Sequence, residues 1–178
     1  MAETTANAVA DYIIRFYHEH GDLITNLKLQ KLVYYAQAWY LSLYEKPLFN
    51  EEFQAWISGP VQAELYARFK TYQWNPISEH NKTVLPEHIE EHLQEIIQVY
   101  GKYEAYYLER MTHAEEPWIK ARAGIPPDQS SNALISKQDM QNFYQPTSDG
   151  EEKEANSDKT ESQTEGKDCR EAAIAILL

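Results

Sequence analysis

The sequence predicts a mainly α-helical fold: a compact multi-helix domain around one central helix apolar on two sides, with room for a small β element and a disordered acidic C-terminal tail. Three observations predict it. Between Thr5 and Tyr144, apolar residues recur at three- and four-residue spacing in stretch after stretch, the period of a helix with one buried face. Pro or Gly stands at most junctions between those stretches, where each starts or stops a helix. From Thr147 to Asp168 there is no large apolar residue, so burial there cannot offset the entropy of ordering. The domain is expected over residues 1–146 and the tail over 147–178.

The first element runs from about Thr5 to His20, with Ala6, Val9, Ala10, Ile13, Phe16 and Tyr17 on one face and Gly21 as a left-handed C-cap. His18 and His20 are two apart, about 200° around a helix, so they read as solvated side chains at the helix end and not as a metal pair. The central helix follows, TNLKLQKLVYYAQAWYLSL from Thr25 to Leu43. Of the 17 residues from Leu27 to Leu43, 12 are apolar. Leu29, Leu32, Val33, Ala36, Tyr40 and Leu43 make a broad face, and Leu27, Tyr34 and Leu41 a second one. Only a narrow polar strip of Lys28, Lys31 and Ser42 remains, so the helix is expected to be packed on two sides. Thr25 is its N-cap, because a hydroxyl accepts from one of the first unpaired backbone N–H groups.

Glu45-Lys46-Pro47 turns the chain, a short strand is expected at Phe53–Ile57, and Ser58-Gly59-Pro60 comes next. Proline has a preset φ and lacks an N–H that the first helical position does not use. Pro60 is therefore expected to open a helix burying Val61, Leu65, Tyr66, Phe69 and Tyr72. Gly59-Pro60 has no second glycine and no Lys-Ser or Lys-Thr after it, so it reads as a turn and not as a phosphate cradle. Residues 77–85 form a polar connection with a short strand at Thr83–Leu85. Pro86 opens the next helix, with Ile89, Leu93, Ile96, Ile97 and Tyr100 inward and Gly101 at its end. Within it, His88-Ile89-Glu90-Glu91-His92 spells the H-x-x-E-H order of the inverted zinc metalloproteases, two His about 40° apart with a Glu to activate water. A catalytic zinc uses a third protein ligand, and the downstream acids Glu165 and Glu171 fall in the tail. His88 and His92 are therefore read as part of a solvated face, and no metal or cofactor is expected.

Tyr103–Met111 is a further short helix burying Tyr107, Leu108 and Met111. After it, Thr112-His113-Ala114-Glu115-Glu116-Pro117-Trp118 brings an imidazole near two carboxylates, and Pro117 starts a turn of helix that puts Trp118 and Arg122 on one side. The cluster reads as structural, a hydroxyl and an imidazole satisfying helix ends beside a buried Trp, and no catalytic residue is assigned. Ile125-Pro126-Pro127 breaks the chain, and Ser136 with Asp139 caps a last helix carrying Met140, Phe143 and Tyr144. Pro146 ends the domain. The apolar end, Arg170–Leu178, leaves open a docking or protease-recognition tag, a nascent partner-binding helix, a terminus of no selected role and a strand that pairs with the body.

Composition narrows the function classes. A chain of 178 residues suits one domain with extra sequence, and the single Cys169 allows no disulfide framework. No signal-peptide pattern opens the chain, and no apolar run approaches the ~20 residues that span a bilayer, so a cytoplasmic protein is expected. Net charge is −12; Asp149–Glu171 holds nine acidic and four basic residues, a net of −5, which leaves −7 elsewhere. Binding phosphate backbones draws on Lys and Arg, so general nucleic-acid binding is not expected and a basic protein partner is.

The wording of the central helix carries more than a core needs. Leu27, Leu29, Gln30, Lys31, Leu32 and Tyr34 are followed by Pro47-Leu48-Phe49, Gly59-Pro60-Val61 and Leu65-Tyr66, then by Thr112-His113, Pro117-Trp118 and Ala121-Arg122. Together these motifs resemble the signature of the Panacea-domain family, the phage-associated, SocA-like proteins. The resemblance implies an antitoxin that neutralises a cognate toxin by direct protein–protein binding and is not an enzyme. Two alternatives stand beside it: a proteolytic adaptor that delivers the bound toxin to a bacterial protease, and a zinc-dependent hydrolase using His88, Glu91 and His92. The residues singled out for partner binding or for the family fold are Gln30, Lys31, Tyr34, Gly59, Pro60, Tyr66, His113, Trp118 and Arg122. Lys31 has two readings, an internal pair with an acid such as Glu64 or a contact to the toxin. In the expected mechanism, an acidic surface steers a basic toxin and exposed aromatic residues anchor it.

Overall fold

The computed structural model describes residues 2–79 and 81–145. The Pro146 boundary, the tail, the apolar end Arg170–Leu178, and Glu165 and Glu171 lie outside the described residues. The described elements are α1 (Ala6–Glu19), α2 (Asn26–Tyr44), β1 (Gln54–Trp56), β2 (Gly59–Val61), α3 (Ala63–Phe69) with a 3-10 turn (Lys70–Tyr72), α4 (Glu87–Tyr100), α5 (Ala105–His113), α6 (Glu116–Arg122) and α7 (Lys137–Tyr144). The fold is mainly α, as the periodicity predicts.

α2 begins where the Thr25 hydroxyl accepts from the Lys28 amide at 3.4 Å and ends on Glu45, at φ 55. Every residue from Leu29 to Ser42 is buried, and α2 touches α1, α3, α4, α5, α7 and β2. The polar strip therefore does not face water: Lys31 and Ser42 are buried, and the half-buried Lys28 donates to the Gly101 carbonyl at 2.7 Å. Surrounded on all sides, α2 uses its polar side chains to satisfy neighbouring backbone. Gln37 accepts from the amides of Leu48 (2.9 Å) and Phe49 (3.2 Å) and donates to the Phe49 carbonyl (2.8 Å), fixing Pro47-Leu48-Phe49 to the core. The other helices start and stop as local chemistry requires. Thr5 caps α1 through the Ala8 amide, Gly21 closes it at φ 72, and Ser136 caps α7 through the Asp139 amide.

Pro60 opens no helix; it sits in the middle of β2, opposite Ala55 in an antiparallel pair. Ala55 sends its N–H to the Ala133 carbonyl at 2.8 Å and accepts on its own carbonyl from Arg122. Both groups point away from β2, because N–H and C=O of one strand residue share an edge. The residue facing Ala55 needs no donor, so proline fits there. The helix begins instead at Ala63, where the Gln62 side chain accepts from the Leu65 amide. Leu65 and Phe69 are buried as expected, Tyr72 is half-buried and Tyr66 is 39% exposed. Thr83–Leu85 forms no strand: the Thr83 carbonyl accepts from Arg15 at 2.7 Å, with no strand edge beside it. His18 is not solvated, since its Nε2 lies 2.9 Å from the Ile77 carbonyl, whereas His20 is exposed and stacks on Phe16. No helix among the described residues is long and apolar enough to cross a membrane.

Candidate functional site

The signature residues interlock behind the β1–β2 hairpin. Gln30 accepts from the Gln62 amide at 2.9 Å and donates to Asn26 at 3.3 Å. Next to it the fully buried Lys31 donates to the Pro60 carbonyl at 3.0 Å, the group that points away from β1. Gly59 makes that approach possible. Its φ is +90, and a Cβ there would lie 2.7 Å from Thr112 Oγ1 and 3.0 Å from Lys31 Cε and Nζ. Burial pushes the Lys31 ammonium down to about 7, with Glu109 acting against the shift. Glu64, the acid expected as its partner, is exposed and makes no pair with it. The carbonyl of Pro60 takes that place because the Lys31 side chain lies under the hairpin, against Gly59.

On α6, the buried Arg122 donates to the carbonyls of Ala55 (2.8 Å), Pro126 (2.6 Å) and Gln129, with its guanidinium over the Trp118 ring. Trp118 gives its indole N–H to the Trp56 carbonyl at 2.9 Å and stacks on His113, 4.3 Å between ring centroids. Burial, then Lys31, pushes His113 down to about 4, against a hydrogen bond to the Ile57 backbone. Tyr34 is fully buried edge-on against Phe53 and Tyr35. Of the nine signature residues, only Tyr66 is exposed.

Tyr66 leads to the surface that the others support. Its ring meets Trp56 edge-on at 5.0 Å, and both border a groove of about 770 Å³. The start of α2 contributes Leu27 and Gln30, and the turn after α3 contributes Lys70 and Trp74. α5 contributes Glu104, Tyr106 and Glu109. Three rings on this border stand open to water: Trp74 is 83% exposed, Tyr106 68% and Tyr66 39%. Glu109 is half-buried, and burial raises its carboxyl above the ordinary range. A smaller cleft of about 350 Å³ beside Tyr12 and Arg15 is polar, and Arg15 is already engaged by the Thr83 carbonyl, Glu19 and Glu90.

Comparison with known families bears on the same elements. The family described as antitoxin SocA-like, Panacea domain, matches residues 29–119, just over half of the chain. The chain belongs to this family. The match covers α2 from Leu29 onward, the hairpin, α3, α4 and α5, so most of the groove lies within it, while Leu27 and Arg122 lie just outside. Neither a curated protein nor a solved structure matches the chain significantly.

The remaining polar clusters of this Panacea domain do not converge. His92 is buried with Nε2 2.9 Å from the Ala36 carbonyl, whereas His88 is exposed, 3.8 Å from Glu3, and Glu91 is exposed too. At the flank of an apolar stripe, a rotation of about 40° suffices to put one imidazole in the core and the other in water. Glu115 accepts from the hydroxyls of Tyr35 (3.0 Å) and Tyr144 (2.5 Å), and Glu116 faces Lys120 at 2.7 Å. Neither carboxylate serves His113. The residues that sequence reasoning missed are Trp56, Trp74, Tyr106, Glu104 and Glu109. A signal was present for two of them: Trp74 stands in the Asn75-Pro76 turn, where there is no core face, and Tyr106 lies off the Leu108 and Met111 stripe.

Proposed function

We propose that this chain is an antitoxin that neutralises a cognate toxin by direct protein–protein binding, acting in the cytoplasm as a binder and not as an enzyme. The observation that carries the reading is the groove: three exposed rings on a face that falls mostly within the stretch matching an antitoxin-like family. Clustered exposed aromatic rings mark interaction sites, because Tyr and Trp bury large areas at little cost in rotamer entropy. In this reading Tyr66 touches the toxin and Gln30 borders the contact. Lys31, Tyr34, Gly59, Pro60, His113, Trp118 and Arg122 hold the groove in shape. The toxin is basic, since a net charge of −12 steers a positive partner.

Growth of a bacterial host expressing the neighbouring open reading frame, with and without the full chain, tests the reading. Rescue together with co-purification of the two proteins is the expected result. The double variant Trp74→Ala, Tyr106→Ala removes exposed rings that the fold does not use, and affinity should drop about tenfold or more. Wild-type affinity in that variant overturns the groove as the contact surface. Toxicity that the wild-type chain cannot relieve overturns the antitoxin reading.

A further inference from the structure

Several features of the groove present unpaired chemistry to its opening. Trp74 follows Gln73, which is held at φ 52 and ψ −114, a conformation that costs a residue with a side chain about 1–3 kcal/mol and persists only where its surroundings enforce it. The turn is enforced: the Gln73 amide donates to the Lys70 carbonyl at 3.1 Å, and the Asn75 amide to the Tyr72 carbonyl at 2.9 Å. Its outcome is an indole 83% open to water beside a groove. On the α5 border, the carboxylates of Glu104 and Glu109 have no ion pair or side-chain hydrogen bond among the described residues. The cation that acts on Glu109 is Lys31, which is closed off from solvent and already donates to the Pro60 carbonyl, and the cation near Glu104 is the half-buried Lys28, which donates to the Gly101 carbonyl. A half-buried carboxylate in that position is an acceptor with its lone pairs open to the groove.

We infer that the groove takes an apolar peptide segment of the toxin that carries an arginine or lysine, its apolar side chains against Trp74, Tyr106 and Leu27 and its cation at Glu109 and Glu104. Charge complementarity selects this occupant. A second copy of the chain brings a further net charge of −12, and the chain's own apolar end, Arg170–Leu178, offers a single cation that the adjacent Glu171 offsets and follows a stretch, Asp149–Asp168, of eight acidic and three basic residues, net −5. Arginine suits the site better than lysine, because its planar fork engages a carboxylate with two donors and stacks on an indole. Lys70, in the turn after α3, repels the cation on its part of the border and so gives the bound segment a direction. Only the word toxin rests on the antitoxin reading; the preference for an apolar, cationic peptide stands on the groove itself.

A random 12-residue phage-displayed peptide library, selected on the full-length wild-type chain and depleted on the Trp74→Ala, Tyr106→Ala variant, tests this without any toxin. The expected winners combine aromatic or aliphatic residues with at least one Arg or Lys. A synthetic winner should bind the wild type at least tenfold more tightly than it binds Glu109→Gln, and changing its cation to Gln should weaken binding to the wild type but hardly to Glu109→Gln. Circular dichroism confirms that both variants fold. Enrichment of acidic or uncharged peptides overturns the inference, as does affinity indifferent to Glu109→Gln. Sedimentation showing a dimer that Trp74→Ala dissolves assigns the groove to a second copy and overturns it. Tighter peptide binding in full-length Ile176→Asp, Leu177→Asp than in the wild type assigns it to the chain's own end, with the same consequence. Failure of the rescue experiment above, with these peptide results intact, removes the toxin and leaves the groove.

Discussion

A methyl group at residue 59 would meet Thr112 Oγ1 at 2.7 Å and Lys31 at 3.0 Å, on a backbone held at φ +90. Gly59→Ala should therefore lower stability by on the order of 3 kcal/mol, from left-handed strain and from overpacking against a buried ammonium. Equilibrium urea unfolding measures it, and a shift of the midpoint within error overturns the close approach of hairpin and α2. His92 makes a prediction in pH. Burial pushes its imidazole down to about 4 from an ordinary 6.5, with the Ala36 carbonyl acting the other way. Between those values the unfolded chain holds a proton that the folded chain does not, so acid favours unfolding. This contribution to stability is complete above pH 6.5 and is lost as pH falls toward 4, on the order of 3 kcal/mol for a group so enclosed. His92→Gln keeps a donor for the Ala36 carbonyl and should flatten that part of the stability curve. His113 is shifted in the same direction and leaves a residual slope in the variant. An unchanged slope would assign the acid sensitivity to other groups.

Arg122 joins α6 to β1 and to the connection after α6 by donating to three carbonyls from one planar fork. Lysine has no such fork, so Arg122→Lys should cost on the order of 2 kcal/mol and speed amide exchange across residues 123–135 more than in α1 or α4. Uniform faster exchange throughout would show a general loss of stability and no local clamp. The same elements show what the sequence reveals. α1, α2, α4 and α7 were legible because periodicity and capping are local: Thr5, Thr25 and Ser136 each close a cap within three residues. Pro60 was not legible as a strand residue. Whether its missing N–H matters depends on which edge Ala55 uses, and that is set by the distant Ala133 and Arg122. In the sequence Lys31 belongs to a polar strip, because no local pattern distinguishes a strip facing water from one covered by a hairpin. The groove was hidden for a related reason: Leu27, Tyr66, Trp74 and Glu109 belong to four different elements or turns and meet only in the folded chain.

At the scale of the whole molecule, charge and shape act at different stages of binding. The net charge of −12 is divided between Asp149–Glu171, at −5, and the rest of the chain, at −7, whereas the exposed rings are gathered at one groove. Long-range charge accelerates encounter and is screened by salt, with a Debye length of about 10 Å at 0.1 M. Rings buried at a contact slow dissociation and are nearly indifferent to salt. For the proposed toxin complex, raising salt from about 0.05 M to about 0.5 M should cut the association rate by about tenfold or more and leave the dissociation rate within about twofold. Trp74→Ala should do the reverse, raising the dissociation rate about tenfold while leaving association and its salt dependence unchanged. Surface plasmon resonance on the full chain separates the two. If salt acts on dissociation alone, the acidic surface does not steer the partner, and the pairs that matter are the short-range ones at Glu104 and Glu109. If Trp74→Ala slows association instead, the indole acts in the encounter and not as an anchor, and its presentation by the strained Gln73 turn is a device for capture.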